Sequence, residues 1–305
     1  MARSSNTRSL LPVLVSVAAC LALAGAAAGT EEESLLGGTG SGNGTTSAPI
    51  IKLYGVFRDF RSFNVGKNGH PDFESTPTQG MGVYHGMVED TLDANLNPVF
   101  KSTGYKQSAS GHDAQGRGII GSKAYLHAQS GDVNPNCASS EGGACANATS
   151  FNQWYNDVNG VNTSQVAAIT LAYANGEYGI QTDDKGLRKE FDKTSGTGAN
   201  KNYGFTWEVE TNFVYHADKN QHIVAGADDT MWVFINNKLV IDLGGEHTYA
   251  EQYIDFNRID GLVDGQKYVM KIFYAERKKN DSYFTLKTNI PINGCEPPPV
   301  TGMLD

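Results

Sequence analysis

Apolar and polar residues alternate most regularly in the C-terminal half of the chain. Between residues 205 and 215, aromatic, β-branched and apolar side chains occupy every second position, and polar side chains fill most of the positions between them. A period of two is typical of a β-strand that buries one of its faces. The positions on the expected inner face are Phe205, Trp207, Val209, Thr211, Phe213 and Tyr215.

A hairpin is indicated just after this strand. Two apolar runs, at 231–235 and 239–243, flank Asn236-Asn237-Lys238. Asn tolerates positive φ, which the tight turn of a hairpin requires. Further strand-length runs occur at 54–60, 221–226, 267–275 and 283–290, and the last two are expected to pair with each other across a polar turn. Several short strands without an amphipathic helical run predict an antiparallel sandwich or barrel.

The pattern is weak between residues 62 and 165, where Gly, Asn, Asp and Ser dominate. A stretch of this kind is expected to form long functional loops or an elaboration packed on the sandwich. Short helical segments are expected around 154–157 and 166–169. The sequence shows no internal repeat, so we expect one large all-β domain over residues 51–292.

Residues 1–28 are typical of a secretory signal peptide. Arg3 and Arg8 precede an apolar run at 10–24, and three alanines at 26–28 offer a cleavage site. Two alternatives remain, an uncleaved membrane anchor and a lipoprotein modified at Cys20. We expect the mature protein to be secreted, extracellular or attached to the cell surface.

Two low-complexity segments flank the predicted domain. Residues 29–50 are rich in Gly, Ser and Thr and predict a flexible linker, whereas residues 293–305 form a Pro-rich tail. Asn-x-Ser/Thr sequons, which matter only in a eukaryotic secretory route, provide candidate glycosylation sites. These are Asn43, Asn147, Asn162 and Asn280.

Composition narrows the functional classes. The 305 residues include 35 Gly, are 39% hydrophobic and carry a formal net charge of −9. This hydrophobic content excludes a wholly disordered or collagen-like chain. No Lys/Arg-rich run occurs, so we expect no nucleic-acid partner. Removal of two Arg with the signal peptide leaves 22 bases and 33 acids, a net charge of −11.

Three of the four cysteines remain after signal removal. Cys137 and Cys145 lie in one Gly-rich polar stretch, and an oxidising compartment predicts a local disulfide between them. A zinc site is a poor alternative because no second ligand pair has suitable spacing. Cys295 is left over, either free or available for an intermolecular disulfide.

The sharpest local motif is the adjacent pair Asp228-Asp229, at the end of one predicted strand and just before the next. Neighbouring carboxylates repel each other unless a cation or hydrogen-bond donors compensate. Calcium prefers such oxygen ligands. A solvated turn, in which Asp caps backbone groups, explains the pair equally simply.

Other candidate chemistry is less specific. Carboxylates that could serve a glycan-cleaving enzyme are Glu208, Glu210, Asp242, Glu246 and Glu276, without a local catalytic signature. Aromatic residues near loops or strand ends could stack on sugars or simply belong to the core. These are Trp232, Tyr249, Tyr253 and Tyr283.

The order of several motifs resembles the fibro-slime domain, a relative of the PA14 domain, across residues 51–291. The motifs are Tyr54-Gly55-Val56-Phe57, His70-Pro71-Asp72-Phe73-Glu74, Gly86-Met87-Val88, Pro98-Val99-Phe100, Phe151-Asn152-Gln153-Trp154-Tyr155-Asn156-Asp157, Gly160-Val161-Asn162, Asp228-Asp229, Trp232-Val233-Phe234-Ile235-Asn236, Leu239-Val240-Ile241-Asp242-Leu243-Gly244-Gly245, His247, Phe273-Tyr274-Ala275-Glu276-Arg277 and Thr288-Asn289-Ile290. The stretch at 186–192 and Thr230 after the Asp pair depart from the family pattern.

The resemblance implies a PA14-like antiparallel β-sandwich or barrel that binds carbohydrate or mediates adhesion without catalysis. It implies Ca²⁺ held by Asp228 and Asp229, with Asn280 and Asp281 completing the shell by their topological position. The expected partner is an extracellular or cell-wall glycan. The alternatives are a structural matrix protein cross-linked through Cys295 and, least favoured, a glycan-cleaving enzyme. Fold alone does not decide among them.

Overall fold

The domain is built almost entirely from antiparallel β-strands, as the sequence predicts. The computed structural model describes residues 49–61, 69–182, 187, 203–278 and 282–294. These residues all belong to one compact unit of the chain. The predicted signal peptide and linker lie outside the described residues or at their edge, so the domain boundaries stay predictions.

Strands and short turns of helix follow one another along the described chain. The strands are β1 (Ile50–Phe60), β2 (Tyr84–His85), β3 (Val88–Leu92), β4 (Pro98–Phe100), β5 (Tyr105–Ala109), β6 (Asn136–Cys137), β7 (Asn162–Ala174), β8 (Glu177–Gln181), β9 (Phe205–Val214), β10 (His222–Asp228), β11 (Thr230–Ile235), β12 (Lys238–Leu243), β13 (Ala250–Asp255), β14 (Lys267–Glu276), β15 (Tyr283–Thr288) and β16 (Asn293–Gly294). Helix α1 (Ala148–Phe151) has a single turn, and short 3-10 turns occur at Ala217–Lys219 and Phe256–Arg258.

One large antiparallel sheet organises the domain. Its strand order is β12-β11-β14-β9-β1-β7-β8-β15-β10-β13, with β16 added to β9. The two ends of this order meet through one side chain. Gln252 on β13 accepts a hydrogen bond from the Asp242 backbone N–H at 2.8 Å and donates to the Asp242 carbonyl at 3.2 Å. A side-chain amide thus replaces a backbone ladder, and the sheet is nearly closed.

The predicted hairpin is confirmed. Strands β11 and β12 pair on either side of Asn236 and Asn237, whose φ angles are 49° and 58°. Positive φ at both central residues is the geometry that favours Asn in such turns. The alternating strand at 205–215 is also confirmed, as β9.

The expected pairing of the runs at 267–275 and 283–290 is wrong. Strand β14 pairs with β9 and β11, whereas β15 pairs with β10 and β8. Both edges of β14 are already occupied, so the chain crosses to the other side of the sheet after Glu276. Strands β14 and β15 are therefore not the two arms of one hairpin.

The helical segment expected at 166–169 is also wrong, because these residues lie in the middle of β7. That strand pairs with β1 over eleven consecutive positions, from Asn162 to Ala172. A continuous backbone ladder overrides the local preference of two alanines. Near 154–157 the structure has turns, and the single helical turn lies slightly earlier at Ala148–Phe151.

Two apolar clusters stabilise the domain. The first lies inside the sheet and contains the inner face of β9, including Phe205, Trp207 and Phe213. The second lies outside it, where residues from 70–161 cover β11, β12 and β14. Trp154 and Trp232 stack across this second cluster with ring centroids 6.1 Å apart. The weakly patterned segment is therefore a packed layer, and β11 is buried on both faces.

The cysteines of this layer are separate thiols. Cys137 lies on β6 and is partly exposed, whereas Cys145 is buried in the second apolar cluster. The expected Cys137–Cys145 disulfide is thus absent from the structure, because one thiol belongs to a small outer sheet and the other faces the core. Cys20 and Cys295 lie outside the described residues. Among the residues that the structure describes, no helix is both long and apolar enough to cross a membrane.

Candidate functional site

The Asp228-Asp229 pair lies at the point where β10 ends and β11 begins. These two strands belong to opposite ends of the strand order, so the pair spans the mouth of the nearly closed sheet. Asp228 is buried, Asp229 is fully buried, and the peptide bond between them is cis. A solvated turn, one of the two explanations from sequence, does not describe these side chains.

Asp229 is fixed by backbone donors from two other segments. The N–H of His247 donates to its Oδ1 at 3.1 Å, and the N–H of Arg277 donates to its Oδ2 at 2.9 Å. His247 lies between β12 and β13, and Arg277 directly follows β14. The carboxylate therefore ties together three chain segments at the mouth of the sheet.

Two further buried carboxylates surround the pair. Glu276, at the end of β14, accepts a hydrogen bond from the Tyr274 hydroxyl at 2.9 Å, and this hydroxyl is also 3.0 Å from the Asp228 carbonyl oxygen. Glu246 is fully buried between β12 and β13. We call Asp228, Asp229, Glu246 and Glu276 the acidic cluster.

Burial and neighbouring like charges raise the pKa values of two carboxylates in the acidic cluster. Burial raises the pKa of Asp229 well above its usual range, and the charges of Asp228 and Glu246 raise it further. Burial and the charge of Asp229 likewise raise the pKa of Glu276. Burial lowers the pKa of His247, so the imidazole favours its neutral form. Such shifts are typical of functional sites.

Arg277 supplies the main opposing charge. Its guanidinium is fully buried, lies 4.7 Å from the Trp154 ring centroid and donates from Nη2 to Glu246 Oε1 at 3.1 Å. It also donates to the carbonyl oxygens of Asp72 and Ala144 in the outer layer. Arg277 thus anchors the acidic cluster to the layer.

Glu246 is the member of the acidic cluster with two basic partners among the described residues. The Arg277 guanidinium lies 3.1 Å and the Lys278 ammonium 3.5 Å from its carboxylate oxygens. Its Oε2 atom has no hydrogen-bond partner. Carboxylate oxygens of this kind are the ligands that calcium prefers.

The described residues do not complete a metal site by themselves. Across 49–61, 69–182, 187, 203–278 and 282–294, no group of three His, Cys, Asp or Glu side chains could hold a metal ion. Asn280 and Asp281, the two further ligands implied by the resemblance, lie outside these ranges. The segment carrying them starts beside Arg277, which contacts Asp229, and ends before Tyr283, which pairs with Asp228.

The part of the chain that builds this site matches a known protein family. Residues 158–298 match the family model of the PA14 domain. This part of the chain is similar to the PA14 domain. The match includes β10, β11, β14 and β15, and with them the whole acidic cluster. The resemblance found in the sequence is confirmed.

Curated relatives of this chain come from Dictyostelium discoideum. Protein psiR is 32% identical over 169 residues, which are 50% of this chain and 17% of psiR. Protein psiJ is 29% identical over 164 residues, which are 48% of this chain and 22% of psiJ. The chain therefore spans only a minor part of the length of these relatives.

Solved structures give weaker likenesses. The PA14 domain of the MpAFP antifreeze protein has a TM-score of 0.22 at 16% identity, covering 38% of this chain and 64% of that one. The GH31 α-xylosidase from Xanthomonas citri has a TM-score of 0.21 at 10% identity, covering 78% of this chain and 24% of that one.

The two sequon asparagines that the structure describes, Asn147 and Asn162, occupy different environments. Asn147 is exposed and caps α1, where its side chain accepts a hydrogen bond from the Ser150 N–H at 3.0 Å. Asn162 is buried, and its Nδ2 donates to the carbonyl oxygens of Gln153 and Asn156. A glycan on that nitrogen would replace at least one of these bonds. Asn43 and Asn280 lie outside the described residues, and glycosylation stays a prediction.

The aromatic residues considered for stacking on sugars differ in how deeply they are buried. Trp232 is fully buried in the second apolar cluster and belongs to the core. Tyr253 is covered by the Arg117 guanidinium, 3.6 Å from its ring centroid. Tyr249 is exposed and Tyr283 is half-buried, and their ring centroids are 6.1 Å apart.

The candidate hydrolytic carboxylates do not form a single site. Glu208 pairs with Arg58 on β1 at 2.7 Å, and Asp242 lies against His85 at 3.5 Å. Only Glu246 and Glu276 join the acidic cluster. The sequence offers both as hydrolytic candidates and contains no motif that links them to the Asp pair. The available signal is their position, with Glu276 at the end of β14 and Glu246 shortly after the end of β12.

Proposed function

We propose that this protein is a secreted or cell-surface, non-catalytic module that binds an extracellular or cell-wall glycan in a calcium-dependent manner. The observation that carries the proposal is the acidic cluster, four buried carboxylates brought together at the mouth of the sheet within the region that matches the PA14 family model. Burying several like charges close together is costly, so such a cluster favours an additional cation.

Asp228 and Asp229 are the proposed ligands on the sheet, and Asn280 and Asp281 are the proposed ligands from the segment between β14 and β15. Calcium at this place would supply a hard cation that offsets the acidic cluster and attracts the hydroxyl oxygens of a sugar. Tyr274, Arg277 and His247 hold the carboxylates in place through the hydrogen bonds described above.

Thermal unfolding tests the metal part of the proposal. Ligand binding to the folded state raises the melting temperature, so excess CaCl₂ should raise the Tm of the wild-type protein relative to EDTA. Asp229→Ala and the milder Asp228→Asn should abolish this rise. Asp264→Asn, which changes an exposed carboxylate in the connection between β13 and β14, is the matched control and should keep it.

A glycan array run with calcium and with a chelator tests the carbohydrate part. Binding should occur in calcium, disappear with the chelator and be lost in Asp228→Asn. Absence of a calcium-dependent Tm shift in the wild-type protein would refute the metal site. A calcium shift without binding to any glycan would refute carbohydrate binding while leaving the metal site intact.

A further inference from the structure

Two tyrosines flank Asp228 on the outer face of the sheet. In the β10–β15 ladder Asp228 is opposite Tyr283, and in the β10–β13 ladder Ala227 is opposite Ala250, which places Tyr249 beside Asp228 on the other edge. Directly opposed residues in a sheet present their side chains on one face. The two residues therefore lie on either side of Asp228.

The rings form a preorganised surface. Their centroids are 6.1 Å apart and their planes are inclined at 71°. The Tyr249 hydroxyl donates to Glu251 Oε2 at 2.6 Å and lies 3.0 Å from Thr285 Oγ1. Burial and the neighbouring Glu251 raise the pKa of Tyr249 to about 12, so this hydroxyl keeps its proton at neutral pH. A ring fixed in this way loses little further freedom when a ligand binds.

A glycine makes room for this arrangement. Gly226 lies on β10 between Glu251 and Thr285, and a Cβ at that position would come within 2.8 Å of the Tyr249 hydroxyl oxygen. The missing side chain lets Tyr249 extend across the strand. The Tyr249 side chain is 37% exposed, so part of it remains open to solvent.

This surface suits the apolar face of a sugar ring. Aromatic side chains bind ligands that present one apolar face, and nearby polar groups fix the orientation of the ligand. Here the polar group beside the rings is the exposed carboxylate of Glu251, which is not among the proposed calcium ligands. Acidic neighbours disfavour ligands that carry carboxylate or sulfate groups.

We propose that Tyr249 and Tyr283 form a stacking platform for a neutral sugar ring whose hydroxyls face Asp228, and that the platform selects neutral over acidic glycans. The proposal rests on the proposed function and adds to it the residues that read the sugar and the charge class of the ligand. Neither tyrosine is assigned to the metal.

The test uses the full chain in calcium on an array of neutral, uronate-bearing and sulfated glycans, followed by titration of the neutral glycan that the wild-type protein binds best. Tyr249→Ala and Tyr283→Ala should each weaken that binding by about tenfold or more, about 1.4 kcal/mol. Both variants should keep the calcium-dependent rise in Tm, which shows that they are folded and hold the metal. Tyr249→Phe should bind almost as well as wild type, since it keeps the ring.

The chain offers a matched control. Tyr173 and Tyr178 form another solvent-accessible tyrosine pair, with centroids 4.8 Å apart, at the β7–β8 turn. Tyr178 is opposite Thr288, at the other end of β15 from Tyr283. Tyr173→Ala should therefore leave glycan binding unchanged.

The outcomes separate the platform from the proposed function. Glycan binding by Tyr249→Ala and Tyr283→Ala within about twofold of wild type, a difference of under about 0.5 kcal/mol, would overturn the platform alone. A preference of the wild-type protein for acidic glycans would overturn the charge selection. A wild-type protein that binds calcium but no glycan would overturn the platform together with carbohydrate binding.

Discussion

Two buried aspartates in this domain have pKa shifts of opposite sign. Asp242 on β12 is 1% exposed and Asp229 is 0% exposed, so burial penalises the charge of both. The pKa of Asp242 is nevertheless lowered, whereas that of Asp229 is raised. The difference comes from their neighbours, because similar burial cannot by itself produce shifts of opposite sign.

Asp242 is surrounded by donors and a basic partner. It accepts hydrogen bonds from Trp232 Nε1 at 3.0 Å and from the Gly86 N–H at 3.1 Å, and His85 Nδ1 lies 3.5 Å away. Burial raises its pKa, but the hydrogen bond and charge of His85 outweigh that effect. This carboxylate joins β12 to the outer layer and needs no further ligand.

Asp229 instead faces Asp228, Glu246 and Glu276, so its neighbours add to the cost of burial. A carboxylate that is satisfied within the fold indicates a structural role, and one with an excess of like charge around it indicates a place for a ligand. The contrast supports a structural role for Asp242 and the proposed ligand-binding role for Asp229, and substitutions can test that division.

The largest effect is expected for Arg277→Ala. This change removes the buried guanidinium from the acidic cluster, and breaking a buried ion pair costs about 3–5 kcal/mol. Urea unfolding in EDTA measures the free energy of unfolding. Excess calcium should recover part of the loss, because the cation replaces some of the missing positive charge.

Arg61→Ala is the matched control, since Arg61 is exposed at the end of β1. It should change the free energy of unfolding by no more than about 0.5 kcal/mol, with or without calcium. If Arg277→Ala were equally harmless, the acidic cluster would not depend on its buried counter-charge, and the contrast with Asp242 would fail.

A smaller loss is expected for Asp242→Asn. The amide keeps the shape of the side chain but removes the charge next to His85 and leaves one buried contact poorly matched, which costs about 1–3 kcal/mol. Calcium should not restore this loss. In NMR titration the pKa of His85 should fall relative to wild type, because the carboxylate that raises it is gone. A calcium-sensitive Asp242→Asn variant would contradict the structural role.

Much of the sheet could be predicted because its strands carry their own pattern. The alternation in β9 and the Asn236-Asn237 turn each contain the local information that fixes their structure. The partner of β14 is set by distant strands, so the apparent hairpin of β14 with β15 could not be excluded from local sequence. Likewise, the β7 residues at 166–169 adopt a strand because β1 lies alongside them.

In the candidate site, too, some residues could be predicted from local sequence and others could not. Adjacent aspartates are visible in the sequence, and the family resemblance gave them a role. Glu246 and Arg277 follow Asp229 by 17 and 48 positions, and only the meeting of three chain segments brings them together. The outer layer was the least predictable part, since its aromatic residues have no period and are buried through tertiary packing alone.

The smallest expected effect is a pH dependence at the Asp242 site. Burial lowers the pKa of His85, but the hydrogen bond and charge of Asp242 and the contact with Gln107 outweigh this and the opposing charge of Lys123, so the net shift is upward. A base whose pKa is higher in the folded state than in the unfolded state stabilises the folded protein. This contribution is fully present below the unfolded-state pKa of 6.5 and disappears as the pH rises through the folded-state pKa.

Wild-type protein should therefore lose stability above pH 6.5 more steeply than His85→Gln, whose side chain can still bond to its neighbours but does not titrate. Asp242 stays ionised throughout this range because its pKa is lowered. Urea unfolding of both proteins at a series of pH values in EDTA measures the difference. Parallel profiles would show that the His85–Asp242 contact carries no charge, and Asp242 would then owe its stability to Trp232 and Gly86 alone.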